Sequence, residues 1–90
     1  MVADTVLLAN FTRIDYQLTF KDTPVTVTKS LRLVANNNAG TVTTTVSERQ
    51  GGSINVAVDV DDGDAVNGNL QITNNEAYDI ELNFLRAITP

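Results

Sequence analysis

The chain has 90 residues, of which 42% are hydrophobic and 19% are charged, and its net charge is −5. This length supports one folded domain with a single core, and the low charge fraction argues against a disordered chain. Because the sequence contains no Cys and no His, disulfides, thiol nucleophiles, histidine general bases and the usual zinc sites are excluded. Two lysines and four arginines do not provide the clustered cations of a nucleic-acid-binding surface.

The first segment, residues 1–12, has no basic start, and its apolar run Val6-Leu7-Leu8 is too short for a signal sequence. The alternating pattern found later in the chain assigns no packing partner to this run. We therefore interpret residues 1–12 as an N-terminal arm or an edge strand.

No segment approaches the roughly 20 apolar residues of a membrane-spanning helix. We expect a protein made in the cytoplasm, with neither nucleic acid nor membrane as a partner.

Alternation of apolar and polar residues then begins, and it is the main signal along the chain. Residues 14–20 alternate strictly, which predicts a strand with one buried face. Weaker alternation follows over residues 25–33, where Lys29 falls on the apolar side of the pattern. Such a residue indicates a bulge, an edge position or a change of face, and we predict an edge strand here. Residues 42–46 predict a further strand.

The second half of the chain repeats the pattern. Every even position of residues 54–61 is β-branched and apolar, which predicts a half-buried strand. A shorter strand is predicted over residues 70–73, and residues 78–84 alternate strictly again. No window has the three-to-four-residue spacing of an amphipathic helix.

Groups of Asn, Asp, Gly and Pro separate these segments at intervals of roughly 8 to 12 residues. The sequence therefore predicts an all-β fold, a small antiparallel β-sandwich or barrel of about six to seven strands, in a single domain of residues 1–90. We expect the strands on either side of Asn74-Asn75 to form a hairpin. The predicted inward side chains include Tyr16, Leu18, Phe20, Leu33, Val56, Val58, Ile80, Leu82 and Phe84.

Four carboxylates within six residues form the one segment that resembles a site: Asp59, Asp61, Asp62 and Asp64. An acidic loop with a glycine can supply oxygen ligands to calcium. The helix-loop-helix calcium motif is not matched, because Gly63 comes one position early and no helices flank the segment. The alternative, which we favour, is an acidic hairpin turn in solvent. No cofactor other than this calcium is expected.

Three other surfaces have a chemical and a structural interpretation. Asp79 and Glu81 share one side of a strand, as the two acids of a glycosidase do, but a solvated sheet face is the simpler interpretation. A threonine-rich face indicates either exposed pleats or a subunit contact low in charge, and it comprises Thr26, Thr28, Thr41, Thr43, Thr45 and Thr73. Aromatic side chains that stack on sugars would have to be exposed, and Phe11 is the one aromatic residue without inward parity.

No motif identifies a family or an enzyme. The expected function, by a class-level analogy only, is that of a non-enzymatic virion protein. It would be a bacteriophage capsid decoration or cement protein, or a small tail component, that meets copies of itself and a major capsid protein. The alternative is a stand-alone glycan- or protein-binding β-sandwich. Apolar residues near the two ends are the expected interface: Val6, Leu7, Leu8, Leu85 and Ile88.

Overall fold

The computed structural model of the protein describes residues 1–22, 27–50 and 53–90. Within these ranges the chain forms seven strands and one short 3-10 turn, Leu8–Asn10. The prediction of an all-β chain is confirmed. The strands are β1 (Val2–Leu7), β2 (Arg13–Asp22), β3 (Thr28–Asn38), β4 (Thr41–Gln50), β5 (Val56–Asp61), β6 (Asn67–Asn74) and β7 (Ile80–Thr89).

The strands are arranged in two antiparallel sheets. One sheet has three strands in the order β1-β6-β5, and the other has four in the order β4-β3-β2-β7. Side chains from both sheets meet in one hydrophobic cluster, so the fold is a β-sandwich. Thr23, Pro24, Val25, Thr26, Gly51 and Gly52, which belong to the predicted strands and turns, lie outside the described residues.

Strand β2 supplies the centre of the core, because it lies inside its sheet and turns every second side chain inward. Its inward side chains are at most 1% exposed: Ile14, Tyr16, Leu18 and Phe20. Val6, Val60, Leu70 and Ile72 reach the same cluster from the three-stranded sheet. Among the described residues no polar or charged side chain is buried, as expected where each one would need a partner away from water.

Most of the predicted core is confirmed, but for two aromatic residues the predicted buried and exposed positions are reversed. The inward residues of β5 and β7 are half-buried and pack against the core: Val56, Val58, Ile80, Leu82 and Phe84. Tyr78 is 38% exposed and Phe11 only 3% exposed, the reverse of what their parity predicts. Strand parity does not apply to either residue, because Tyr78 precedes β7 and Phe11 follows the 3-10 turn.

The N-terminal segment forms an edge strand, one of the two alternatives that the sequence left open. Strand β1 pairs antiparallel with β6, with an irregularity in register between Val2 and Asp4. After this irregularity, the Val6 side chain faces the core and is 7% exposed. The apolar run therefore contributes to the domain's own core.

The prediction that Lys29 marks an edge strand is wrong. Strand β3 lies between β2 and β4 and is therefore an interior strand. Its pairing with β4 shifts register between Ser30 and Leu31, so the structure has a bulge beside Lys29, which the sequence pattern also allowed. The Lys29 side chain follows the inward parity but lies near the strand end, where its Nζ donates to the carbonyl of Ile54 at 3.0 Å. Glu48 lies 3.4 Å from the same ammonium. A long side chain can thus occupy an inward position while its ammonium reaches two polar partners near the strand end.

The hairpin predicted at Asn74-Asn75 is also wrong, because β6 and β7 belong to different sheets. The connection crosses the sandwich, and the Asn74 side chain orders it by donating to the carbonyl of Tyr78 at 2.9 Å. The asparagines therefore fix a crossing loop instead of a two-residue turn. A true two-residue hairpin turn joins β3 to β4 at Ala39 and Gly40, which both have positive φ, 53° and 95°.

Gly68 allows the close approach of Phe11 to β6. A Cβ on Gly68 would lie 3.0 Å from Phe11 Cζ and 3.3 Å from Val60 Cγ1. We expect Gly68→Ala to lower the free energy of unfolding by about 1 to 3 kcal/mol through overpacking, measured by urea unfolding. Thr73→Ala, on the exposed face of the same strand, is the control and should change it by less than about 0.5 kcal/mol. Equal effects of the two substitutions would contradict this packing.

Candidate functional site

The four acidic residues singled out in the sequence bind protein donors in different directions. Asp59 Oδ1 accepts a hydrogen bond from Thr44 Oγ1 at 2.9 Å. Asp61 Oδ1 accepts from the backbone N–H of Gly63 at 2.9 Å. Asp62 Oδ2 accepts from the backbone N–H of Val42 at 2.7 Å. Two of these three bonds, those of Asp59 and Asp62, reach strand β4.

Asp64 organises the turn between β5 and β6. Its Oδ1 accepts from the backbone N–H groups of Val66 at 2.9 Å and Asn67 at 2.7 Å. Its Oδ2 accepts from the side-chain amides of Asn67 and Asn69, each at 3.2 Å. These bonds, above all those from the Asn67 and Val66 backbone, lower the pKa of Asp64 from 3.8 to about 2, because they stabilise the charged form.

The geometry favours the hairpin-turn interpretation of this segment over the calcium site. In the part of the chain that the structure describes, no three Asp, Glu, Cys or His side chains converge as metal ligands. Calcium takes six to eight oxygen ligands, whereas these carboxylates each hold a separate protein donor. They fix the turn and tie it to β4.

Asp79 and Glu81 do not form a pair of acids across a cleft. Asp79 lies in the loop before β7, at the wall of a cavity between the sheets. Glu81 lies in β7 directly opposite Lys21 of β2, and it accepts a hydrogen bond from Asn83 Nδ2 at 3.2 Å. Glu81 is therefore part of a solvated sheet face, which is the simpler of the two interpretations.

The cavity lies at one end of the sandwich and has a volume of about 430 Å³. Residues of both sheets line it, and most of them are hydrophobic: Met1, Phe20, Val56, Ile72, Thr73, Asn74, Asp79, Ile80 and Leu82. Such a lining can accept an apolar group.

A polar cluster joins the two sheets on their β1 and β7 side. The Tyr16 ring is buried, and its hydroxyl donates to Asp4 Oδ2 at 2.9 Å. Arg86 Nη1 donates to both oxygens of Asp4, at 2.8 and 2.7 Å. Burial, and after it the hydrogen bond to Asp4, raise the pKa of Tyr16 above its ordinary range. Tyr16 therefore keeps its proton and, as a hydrogen-bond donor, ties β2 to β1, while Arg86 ties β7 to the same carboxylate of β1.

Sequence reasoning missed this cluster, although one signal was present. Arg86 has the same parity as Leu82 and Phe84 and faces Tyr16 directly across the β2–β7 pair. A charged residue on the inward parity of a strand requires a partner. Nothing in the sequence indicates that the partner is Asp4, at the other end of the chain.

The predicted interface residues are divided between the core and the surface. Val6 is buried, and Leu8 is half-buried against the core. Leu7, Leu85 and Ile88 are 47%, 72% and 38% exposed. Leu7 lies on the outer face of the three-stranded sheet and Leu85 on the outer face of the four-stranded sheet, so the five residues do not form one patch.

The structure adds a feature that the sequence did not identify, the β7 edge, which we define as the side of Ile80–Thr89 that faces away from β2. Within the described residues β7 pairs only with β2, along ten residues. The opposite edge of the same sheet, β4, receives the bonds from Asp59 and Asp62. Strands β1 and β5, the edges of the other sheet, have six residues each.

Comparison of the chain with family models, with curated proteins and with solved structures gives no match. Among the described residues, no helix is long and apolar enough to cross a membrane.

Asp64→Asn should make the fold less sensitive to acid. A carboxyl group whose pKa is lowered in the folded state stabilises the fold at neutral pH, and this contribution is lost as the pH falls from about 4 to about 2. The unmodified chain should lose stability over this window, and Asp64→Asn should lose less. Thermal unfolding between about pH 5 and about pH 2 measures the difference. Asp79→Asn is the control, and a profile for Asp64→Asn that matches it would contradict the assignment.

Asp4→Ala should lower the free energy of unfolding by about 1 to 3 kcal/mol, because the buried Tyr16 hydroxyl then has no acceptor. Adding Tyr16→Phe to Asp4→Ala should restore part of this loss, since the unpaired hydroxyl is removed as well. Denaturant unfolding of the two single variants and the double variant measures the coupling. Strictly additive losses would show that the two side chains do not depend on each other.

Proposed function

We propose that this chain is a non-enzymatic structural component of a bacteriophage particle. In this proposal it is a capsid decoration or cement protein, or a small tail component, that stabilises the particle through contacts with copies of itself and with a major capsid protein. It is made in the host cytoplasm and located in the virion. It has neither nucleic acid nor membrane as a partner and requires no cofactor.

The β7 edge is the observation that carries the proposal. An unpaired strand edge can pair with a strand of another chain. Monomeric proteins therefore cover or shorten their edge strands or place charged residues on them. This edge is ten residues long, and Leu85 in its middle is 72% exposed. A long open edge with an exposed leucine supports a chain that meets other subunits.

The distribution of charge supports the same proposal. Residues 1–12 and 53–79, which contain the three-stranded sheet and its loops, hold seven carboxylates and no lysine or arginine. Residues 13–50 and 80–90, which contain the four-stranded sheet, hold all six cations and four carboxylates. The two sides of the sandwich thus differ strongly in charge, which orients a subunit on its neighbours. The acidic side repels nucleic-acid phosphates.

The step from subunit to phage particle is a class-level analogy. Small, acidic, cysteine-free β-sandwiches without catalytic groups are typical of accessory proteins of phage particles. The open β7 edge and the uneven distribution of charge support assembly in general, and the analogy supplies the kind of assembly.

The alternative is a stand-alone binding module, and Tyr78 is the observation that favours it. Four of the five aromatic side chains belong to the core or pack against it: Phe11, Tyr16, Phe20 and Phe84. Tyr78 is 38% exposed and lies beside the cavity residue Asp79. An exposed aromatic ring at the end of a β-sandwich can stack on a sugar.

Particles purified from cells that produce this chain test the proposal. We expect the chain to sediment with them in a density gradient at a fixed ratio to the major capsid protein. Particles that lack the chain should rupture at a lower temperature than complete particles, because bound subunits stabilise what they bind. A chain that stays at the top of the gradient as a free monomer contradicts the proposal. Stabilisation by oligosaccharides that is lost in Tyr78→Ala would support the binding module instead.

A further inference from the structure

The four outer edges of the sandwich are not equally open. The β4 edge is covered where Asp62 accepts the Val42 N–H and Asp59 accepts from Thr44. Strands β1 and β5 offer six residues each, and the register of β1 is irregular. The β7 edge has ten residues, and no register irregularity interrupts its pairing with β2. Of the edges described, it is therefore the best template for an added strand.

The charges on β7 do not protect it. Its two charged side chains are Glu81 and Arg86. An inward-pointing charge normally blunts an edge, but the guanidinium of Arg86 is neutralised by Asp4 of the same chain, at 2.7 Å. The strand holds one charge of each sign in a chain with a net charge of −5, so β7 itself adds little to the repulsion between two copies.

A second copy of β7 fits this edge in only two long registers. Directly opposite residues of an antiparallel pair lie on the same face of the sheet, so odd positions must meet odd positions. The symmetric registers that keep nine facing residues centre on either Phe84 or Leu85, as the bounds Ile80–Thr89 dictate. Nine facing residues allow about eight to ten backbone hydrogen bonds across the pair.

Charge complementarity distinguishes the two registers on the outer face. With Leu85 at the centre, Glu81 stands opposite Thr89 of the second copy, whose neighbour in β2 is Arg13. With Phe84 at the centre, Glu81 stands opposite Ala87, whose neighbour in β2 is Asp15. Arg13 has a side chain 48% exposed and its contact with Asp15 is long, at 3.9 Å. Only the register centred on Leu85 therefore brings Glu81 towards an available cation.

The inner face agrees with the register centred on Leu85. There Arg86 of each copy lies opposite Phe84 of the other, and a guanidinium over an aromatic ring is favourable. Leu82, half-buried, lies opposite Ile88, 38% exposed. On the outer face, the two copies of Leu85, 72% exposed in the single chain, meet at the twofold axis. The two large exposed apolar residues of β7, Leu85 and Ile88, each gain an apolar neighbour in this arrangement.

We propose that two copies of this chain pair antiparallel through β7, with Leu85 of one copy opposite Leu85 of the other. The two four-stranded sheets then form one continuous sheet of eight strands. This inference extends the proposed function, since it names the contact through which copies of the subunit meet.

A single cysteine tests both the contact and its register, because the chain contains no cysteine of its own. In the proposed dimer the two copies of Leu85 have Cα atoms about 4.5 to 5.5 Å apart, within the range of a disulfide. The two copies of Asn83 are offset by four residues, about 13 Å along the strand. Under mild oxidation Leu85→Cys should form a covalent dimer, and the control Asn83→Cys should remain monomeric. Equal cross-linking of both variants overturns the proposed register.

Sedimentation of the cysteine-free chain tests the pairing without oxidation. We expect a monomer–dimer equilibrium that Leu85→Lys weakens at least about tenfold, because two lysines would face each other across the axis. Val66→Lys is the matched control, since Val66 is 57% exposed and lies outside β7, and it should leave the equilibrium unchanged. Glu81→Arg and Arg13→Glu should each weaken the dimer, and the double variant should recover it.

The outcomes separate this inference from the proposed function. A chain that remains monomeric up to about 1 mM, or a dimer insensitive to Leu85→Lys, overturns the β7 pairing. If that chain still sediments with phage particles, the proposed function stands. If the dimer forms as described but the chain is absent from every particle, the pairing stands and the proposed function fails.

Discussion

Burial of the inward face of β2 is the constraint on which the other features of this domain depend. The strand lies inside its sheet, pairs on both sides with β3 and β7, and directs four large side chains against the opposite sheet. In a domain of this size the core is small relative to the surface, so each buried side chain counts. The remaining strands are placed where they cover these side chains.

One of those side chains, Tyr16, also explains how the two ends of the chain come together. Its ring fills the core beside Phe84, with ring centroids 5.9 Å apart, while its hydroxyl requires an acceptor. Asp4 supplies that acceptor from β1, and the charge of Asp4 requires Arg86 of β7. Burial of Tyr16 of β2 in the core is thus accompanied by a polar link between β1 and β7, the first and last strands.

The edge strands of the sandwich differ in how far they are covered. The acidic turn between β5 and β6 covers part of β4, so its carboxylates act in edge protection and turn formation. Within residues 1–22, 27–50 and 53–90, strand β7 has no such cover, and its exposed leucine lies on a strand of little net charge. Among the described residues the two edges of the four-stranded sheet therefore differ, since the β4 edge is partly covered and the β7 edge is open.

The sequence by itself determined the strands and most of their buried faces, because alternation along one strand is a local property that any sheet must satisfy. Tyr16, Leu18, Phe20 and Leu33 were predictable in this way. Only the tertiary structure decided that β3 is interior, that β6 and β7 lie in different sheets, that Phe11 is buried over Gly68, and that Asp4 meets Arg86. Strand order and the paths of connections depend on contacts between residues distant in sequence, and a local pattern contains no information about which strands will be neighbours.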